Sequence, residues 1–388
     1  MNKKRKPLEL YVHIPFCIRK CAYCDFVSGP GTKAMQKEYE EALLAEIDAA
    51  EETAEREVIS VFFGGGTPSA VDAGMLARVM EKLRSKYVFS EDAEITLEAN
   101  PGTLDAEKLK CYRKSGFNRI SIGCQSVHDE ALKRLGRIHT FAEFQESFVL
   151  ARDAGFANIN VDLMSGLPEQ SEEKWEESLR TIAELSPEHI SAYSLIVEEG
   201  TPFAAMAERG ELPLPEEETE RAMYEETIEV LAKYGFHRYE ISNYARDGYE
   251  CRHNVGYWIR RDYLGFGIGA ASLIDNVRFQ NEKSLGAYLA HPLESREEAA
   301  AILDSIRDGK KHRFEIRGAE RADTLVVDGA AQPADVIFVL RAGFAADTLL
   351  PGIATEKGHI VVDESYAASI PGVFAAGDCT GAPYQIPA

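Results

Sequence analysis

Between residues 8 and 196 the chain alternates strand-like and helix-like segments, and this alternation constrains the fold more than any other feature. Strand-like runs fall at 8–16, 58–63, 94–99, 119–123, 158–164 and 189–196. Helical composition lies between them, at 33–54, 71–87, 105–115, 128–135 with 141–154, and 172–185. Repeated β-then-α units imply parallel strands joined by helical crossovers. Runs such as Val58-Ile59-Ser60-Val61-Phe62-Phe63 are of the buried type expected when both sheet faces are covered. A barrel or partial barrel of the (β/α) type and a doubly wound sheet fit this pattern equally well.

After Gly200 the pattern changes. Residues 211–218 are rich in Pro and Glu and read as a solvated linker. Residues 220–234 read as a helix ending at Gly235, a usual C-cap residue. A short strand at 239–244 precedes an aromatic, glycine-rich stretch at 251–270. Near residue 299 the character shifts again, with a charged run at 307–313 and strand-like pieces at 324–327, 335–340, 360–362 and 373–376. The division expected is 8–235, an extension at 236–298, and a separate piece at 299–388.

Of the 388 residues, 45% are hydrophobic and 28% charged, as in a soluble globular protein. The formal charge of -21 repels phosphate backbones, so nucleic acid is not an expected partner. No run of eighteen apolar residues and no signal-peptide pattern occurs, and the reading is a cytoplasmic chain. There the seven cysteines should be reduced, and a cluster of them points to metal or redox chemistry.

Such a cluster is Cys17-Ile18-Arg19-Lys20-Cys21-Ala22-Tyr23-Cys24. Its spacing arises by chance in roughly one in five hundred comparable chains. A zinc site would want a fourth ligand close by, and core cysteines would follow the periodicity of a buried face. Three thiolates suit a cubane of four irons with one iron left open. An open iron can take an amine and a carboxylate, both of which a methionine moiety provides. This C-x-x-x-C-x-x-C pattern resembles the signature of radical S-adenosylmethionine proteins. The resemblance implies that Cys17, Cys21 and Cys24 hold a 4Fe-4S cluster, which passes an electron to S-adenosyl-L-methionine and yields a 5′-deoxyadenosyl radical.

Further residues sit where that family binds its cofactor, at the C-terminal ends of barrel strands. Gly64-Gly65-Gly66-Thr67-Pro68 follows the second strand and resembles the family's glycine motif; alone it could be a tight turn. Glu98 ends the third strand, Gln125 the fourth, Arg137 follows the fourth, and Asp162 lies on the fifth. Each taken singly is more often a solvated loop end. Together with Tyr11-Val12-His13-Ile14-Pro15-Phe16-Cys17 they resemble oxygen-independent coproporphyrinogen III oxidases and their heme-chaperone relatives, over residues 8 to 298. The resemblance implies a partial (β/α)6 TIM-type barrel with a small α/β extension. It also implies cofactor contacts from Tyr11, Tyr23, Gly65, Gly66, Thr67, Glu98, Gln125, Arg137 and Asp162. Among these, the carboxylates and Gln125 would bond ribose and amine, and Arg137 the methionine carboxylate.

Two features separate the relatives. The oxidases carry a further cysteine two positions after the third cluster cysteine, where this chain has Phe26. They also have a long N-terminal extension, whereas Cys17 here lies almost at the start. Both point to the chaperone side. His253-Asn254-Val255-Gly256-Tyr257-Trp258 resembles the chaperones' H-N-x-x-Y-W heme motif, in which imidazole can ligate iron and aromatic rings can cover the macrocycle. The bland alternative is a core aromatic cluster around a hydrogen-bonded histidine. Heme would then be a third cofactor, with heme-accepting respiratory proteins as partners and transient membrane contact through the acceptor; a homodimer stays open. The alternative functions are radical decarboxylation by a coproporphyrinogen oxidase and a flavin-dependent reductase. Gly265-Phe266-Gly267-Ile268-Gly269-Ala270 fits a dinucleotide fingerprint, but it does not open a βαβ unit.

From about residue 300 the chain resembles a fragment of a thioredoxin-reductase-like flavoprotein, through Gly358-His359-Ile360-Val361-Val362-Asp363 and Ile370-Pro371-Gly372-Val373-Phe374-Ala375-Ala376-Gly377-Asp378-Cys379. In such proteins the aspartate at position 378 contacts the flavin's linker. The glycine fingerprint and redox C-x-x-C are missing, so the piece is expected to be an incomplete, loosely docked addition that binds no FAD.

Overall fold

The computed structural model describes residues 5–50, 55–275 and 277–293, with the backbone of five short strands between 314 and 360. The chain forms two compact units, Met1–Ala300 and Ala301–Ala388.

In the first unit, six strands alternate with helices. They are β1 (Lys6–Ile14), β2 (Arg56–Gly65), β3 (Phe89–Ala99), β4 (Arg119–Gln125), β5 (Ile159–Ser165) and β6 (His189–Ser194). The crossovers are α1 (Lys33–Ala49), α2 (Ala73–Lys86), α3 (Ala106–Lys114), the pair α4 (Asp129–Leu135) and α5 (Phe141–Asp153), and α6 (Glu172–Glu184). Their starts carry side-chain caps. Thr32, Asp72, Asp105 and Ser171 each accept a backbone N–H, and Thr140 with Glu143 forms a capping box.

The six strands are parallel and lie in chain order, β1-β2-β3-β4-β5-β6. A doubly wound sheet would reverse direction partway, so this alternative falls. The ends do not close on each other. Beyond β6 come β8 (Asn243–Ala245) and β7 (His237–Arg238), both antiparallel to their neighbours. Beyond β1 come β9 (Tyr263–Phe266), parallel to it, then the antiparallel β10 (Ala271–Ile274) and β11 (Val277–Gln280). Side chains from all six central strands line one cavity, so the sheet curls into a partial (β/α)6 barrel. The extension is not a separate layer; it lengthens this sheet at both edges.

Alternate strand residues are buried apolar side chains: Leu10 and Val12, Val61 and Phe63, Ile95 and Leu97, Ile120 and Ile122, Val161 and Leu163. The intervening residues on the cavity side include Tyr11, Phe62, Glu98, Arg119, Ser121 and Asn160. The expectation of two apolar faces therefore holds for one face and fails for the other, because the inner face surrounds a space rather than packing on helices.

Three further segments differ from the sequence reading. Helix α8 (Glu217–Lys233) begins inside the presumed linker, where Glu217, Glu218 and Glu220 suit the positive end of its dipole. The aromatic stretch holds α9 (Arg252–Trp258) and β9. Helix α7 (Pro202–Glu208), with Pro at its first turn, also escaped the period analysis.

In the second unit β12 (Phe314–Arg317), β13 (Thr324–Val327) and β14 (Ala330–Pro333) form an antiparallel meander, and β15 (Thr355–Glu356) pairs with β16 (His359–Ile360). The strand-like pieces at 335–340 and 373–376, the charged run at 307–313, and Asp378 and Cys379 lie outside the described residues.

Candidate cofactor site

The three clustered cysteines occupy the loop that leaves β1, and several main-chain bonds hold that loop in place. Cys17 N–H donates to Gly29 O and Gly29 N–H to Pro15 O, both at 2.9 Å. Ala22 N–H donates to Leu135 O at 2.9 Å and its carbonyl accepts from Phe203 N–H at 3.0 Å, tying the loop to α4 and α7. Ala22 and Tyr23 pack on a buried cluster of Leu135, Met164, Leu167, Leu195 and Phe203. His13 reaches back to Val27 O with Nε2 at 2.8 Å, while its Nδ1 meets the Tyr11 hydroxyl at 3.0 Å.

The glycine turn after β2 lies directly beneath the loop. Thr67 N–H donates to Phe16 O at 2.9 Å. A Cβ on Gly66 would stand 2.9 Å from Phe16 O and 3.0 Å from Cys17 Sγ, so only glycine fits there. Gly65 N–H donates to Glu98 Oε2 at 3.2 Å. Gly136 ends α4 in the left-handed conformation, with φ 77°, and so turns Arg137 toward the loop.

A chain of polar contacts joins two of the cysteines. Thr67 Oγ1 donates to Cys17 Sγ at 3.6 Å and accepts from Asn100 Nδ2 at 2.8 Å. Asn100 Oδ1 accepts from Arg137 at 2.6 Å, and Arg137 also donates to Gly123 O at 2.7 Å and to Cys21 Sγ at 3.8 Å. Cys24 Sγ lies 4.0 Å from Ser28 Oγ. Gln125 ends β4 with φ 68°, a conformation rare outside glycine, and its amide sits with Asn100 and Arg137 over Gly123. Asn100 was not among the sequence candidates. Its position two residues after Glu98, just past the C-terminal end of β3 where the other candidates gather, is the signal that could have found it.

The three thiols are free and partly exposed, and they have N–H and O–H donors aimed at two of the sulfurs. That donor set fits a thiolate-held iron–sulfur cluster. Among the described residues no three His, Cys, Asp or Glu side chains converge as on a single ion. Thiolates that ligate different irons of a cubane stand farther apart than that.

The remaining candidates separate into a deeper group and an outer one. Tyr11, Glu98, His253, Asn254 and Tyr257 line the barrel cavity, of about 200 Å³. Burial, then the neighbouring Asp162, push the Glu98 carboxyl up to about 8. Burial also raises Asp162, against hydrogen bonds from Asn160 at 2.7 Å and Ser121 at 3.2 Å. His253 is buried, with Nδ1 2.9 Å from Ser60 Oγ and Nε2 3.2 Å from the Tyr257 hydroxyl. Burial, then Arg119, lower it to about 3, so the imidazole is neutral. Its ring stacks on Phe62, with centroids 5.3 Å apart. In this conformation His253 is a hydrogen-bonded core residue, while Trp258 beside it is 56% exposed. Sequence reasoning also passed over Arg119, which lies on the cavity wall.

A curled parallel sheet with three thiols on the loop after its first strand, packed on a glycine turn, defines a radical S-adenosylmethionine protein; residues 11–182 match the family model of the Radical SAM superfamily. Among curated proteins, the chain belongs to the family of heme chaperones HemW. It is 42% identical to that of Escherichia coli, over 69% of this chain and 70% of the relative. It is 35% identical to that of Haemophilus influenzae, over 93% of this chain and 97% of the relative. The solved coproporphyrinogen III oxidase HemN of Escherichia coli superposes with a TM-score of 0.66 at 29% identity, covering 76% of this chain and 71% of that one. Residues 300–388 match a different family model, that of pyridine nucleotide-disulphide oxidoreductases. No helix among the described residues is long and apolar enough to cross a membrane.

Proposed function

We propose that this protein binds heme and hands it to heme-accepting respiratory proteins. The observation that carries the reading is the 42% identity to a curated heme chaperone over 271 residues. In this reading Cys17, Cys21 and Cys24 hold a 4Fe-4S cluster, which supplies one-electron chemistry when bound. Thr67 and Arg137 donate toward two of the sulfurs and Asn100 holds both donors in place. In the same reading Gly65, Gly66, Gln125, Glu98, Asp162, Tyr11 and Tyr23 would contact S-adenosyl-L-methionine, with Tyr11 and Glu98 on the wall of the barrel cavity.

Heme is assigned to α9 and its surroundings. Tyr257 and Trp258 offer exposed rings for the macrocycle. His253 can act as an iron ligand only after its bond to Tyr257 opens.

Anaerobic reconstitution followed by heme titration tests the assignment. About four irons per chain are expected, falling to none in Cys21→Ala, together with saturable heme binding. The structural likeness to HemN supports a second reading, the oxidase, but Phe26 stands where the oxidases have a further cysteine. Anaerobic conversion of coproporphyrinogen III to protoporphyrinogen IX would replace the chaperone reading with that one.

A further inference from the structure

Arg119 opens β4 and is 2% exposed, on the wall of the barrel cavity. Its Nε has no hydrogen-bond partner, and among the described residues no carboxylate lies within ion-pair distance of its guanidinium. Burying a cation in this way is costly unless something pairs with it. The acids whose charge reaches it are occupied elsewhere: Glu94 accepts from Cys251 Sγ–H and His253 N–H, Glu98 accepts from Gly65 N–H, and Asp162 accepts from Ser121 and Asn160. With its carboxyl raised to about 8, Glu98 is mostly protonated at neutral pH and adds little negative charge. The same wall offers the hydroxyls and amides of Ser121, Ser191, Asn160 and Asn243.

We propose that the barrel cavity is a carboxylate-binding site in which Arg119 is the cationic anchor. The planar guanidinium fork matches the two oxygens of a carboxylate. A phosphate dianion is disfavoured because Arg119 is the one cation among the residues that line the cavity, His253 being neutral. A volume of about 200 Å³ admits a small organic acid or one acid arm of a larger molecule, not a whole porphyrin. The carboxylate therefore comes either from a free short-chain acid or from a propionate arm of heme. The heme source rests on the function proposed above; the free-acid source does not.

The test is calorimetric titration of the full chain with sodium propionate, against propionamide at matched ionic strength. Saturable propionate binding is expected, at least tenfold tighter than the amide and at least tenfold weakened in Arg119→Gln. Arg119→Lys, which keeps the charge without the fork, should fall between. Equal binding of acid and amide, no binding, or unchanged binding in a folded Arg119→Gln overturns the proposal. If Arg119→Gln does not fold, the acid–amide pair on the unaltered chain decides. Heme and its dimethyl ester identify the source. A weaker ester, with the gap closed in Arg119→Gln, assigns the heme arm, whereas equal affinities assign the free acid. Failure of the unaltered chain to bind heme at all refutes the heme reading and leaves the propionate result standing.

Discussion

The two faces of the parallel sheet are built from neighbouring residues of the same six strands, and they obey different rules. On one face Leu10, Val61, Leu97, Ile122 and Val161 are fully buried and have no polar side-chain atoms to satisfy. On the other, Ser121, Asn160, His189, Ser191 and Asn243 form a hydrogen-bond network, with His189 Nδ1 2.6 Å from Asn160 Oδ1 and Ser191 Oγ 2.6 Å from Asn243 Oδ1. The first face gains stability from area removed from water. The second must satisfy each polar atom it buries, and where it does not, as at Arg119, a ligand can. One sheet thus carries stability on its outside and specificity on its inside.

The largest expected break in this comparison comes from adjacent residues on opposite faces. Val161→Asp places a carboxylate among aliphatics, a cost comparable with the whole stability of about 5–15 kcal/mol, and should abolish soluble folded protein. Asp162→Asn next to it should still fold cooperatively by circular dichroism. A normally folded Val161→Asp would mean that the outer face is not sealed. Next in size is Ile122→Ala, which should cost about 2–5 kcal/mol in urea unfolding through lost burial and a cavity.

A pH effect on the inner face should be smaller. Glu9 is fully buried beneath α9, 3.0 Å from Arg261 and 3.8 Å from His253. Burial outweighs Arg261 and raises its carboxyl from 4.5 to about 8. The folded state therefore holds that proton more tightly. Its contribution is complete below pH 4.5 and is lost as pH rises through about 8. Urea midpoints of Glu9→Gln should fall less than those of the unaltered chain between pH 5 and 9, and parallel curves would exclude Glu9 as the cause. The smallest effect belongs to Ser121→Ala, at about 1 kcal/mol, since it removes one donor from a network with other partners.

Much of this was legible in the chain itself. Local signals revealed the cysteine loop and the glycine turn, because ligands and turn residues lie within a few positions of one another. The consecutive strand order was not legible, since alternation alone also suits a doubly wound sheet. The polar period on the inner face was present in Arg119-Ile120-Ser121-Ile122-Gly123 but read as burial on both sides. Helix α8 was missed because acidic residues suit a solvated linker and a helix N-terminus equally.

The sequence by itself determined the chemistry at the mouth: three thiols at fixed spacing on one loop, and a family whose members share them. Only the tertiary structure decided what surrounds that chemistry. Asn100 meets Arg137, Glu9 meets Arg261, and Arg119 faces the cavity because curling the sheet brings together residues that stand 37 to 252 positions apart, or turns them toward a shared space. Spacing along the chain records which groups are neighbours on one strand. It does not record which way a curved sheet faces them, because that depends on strand order and on how far the edges stay open.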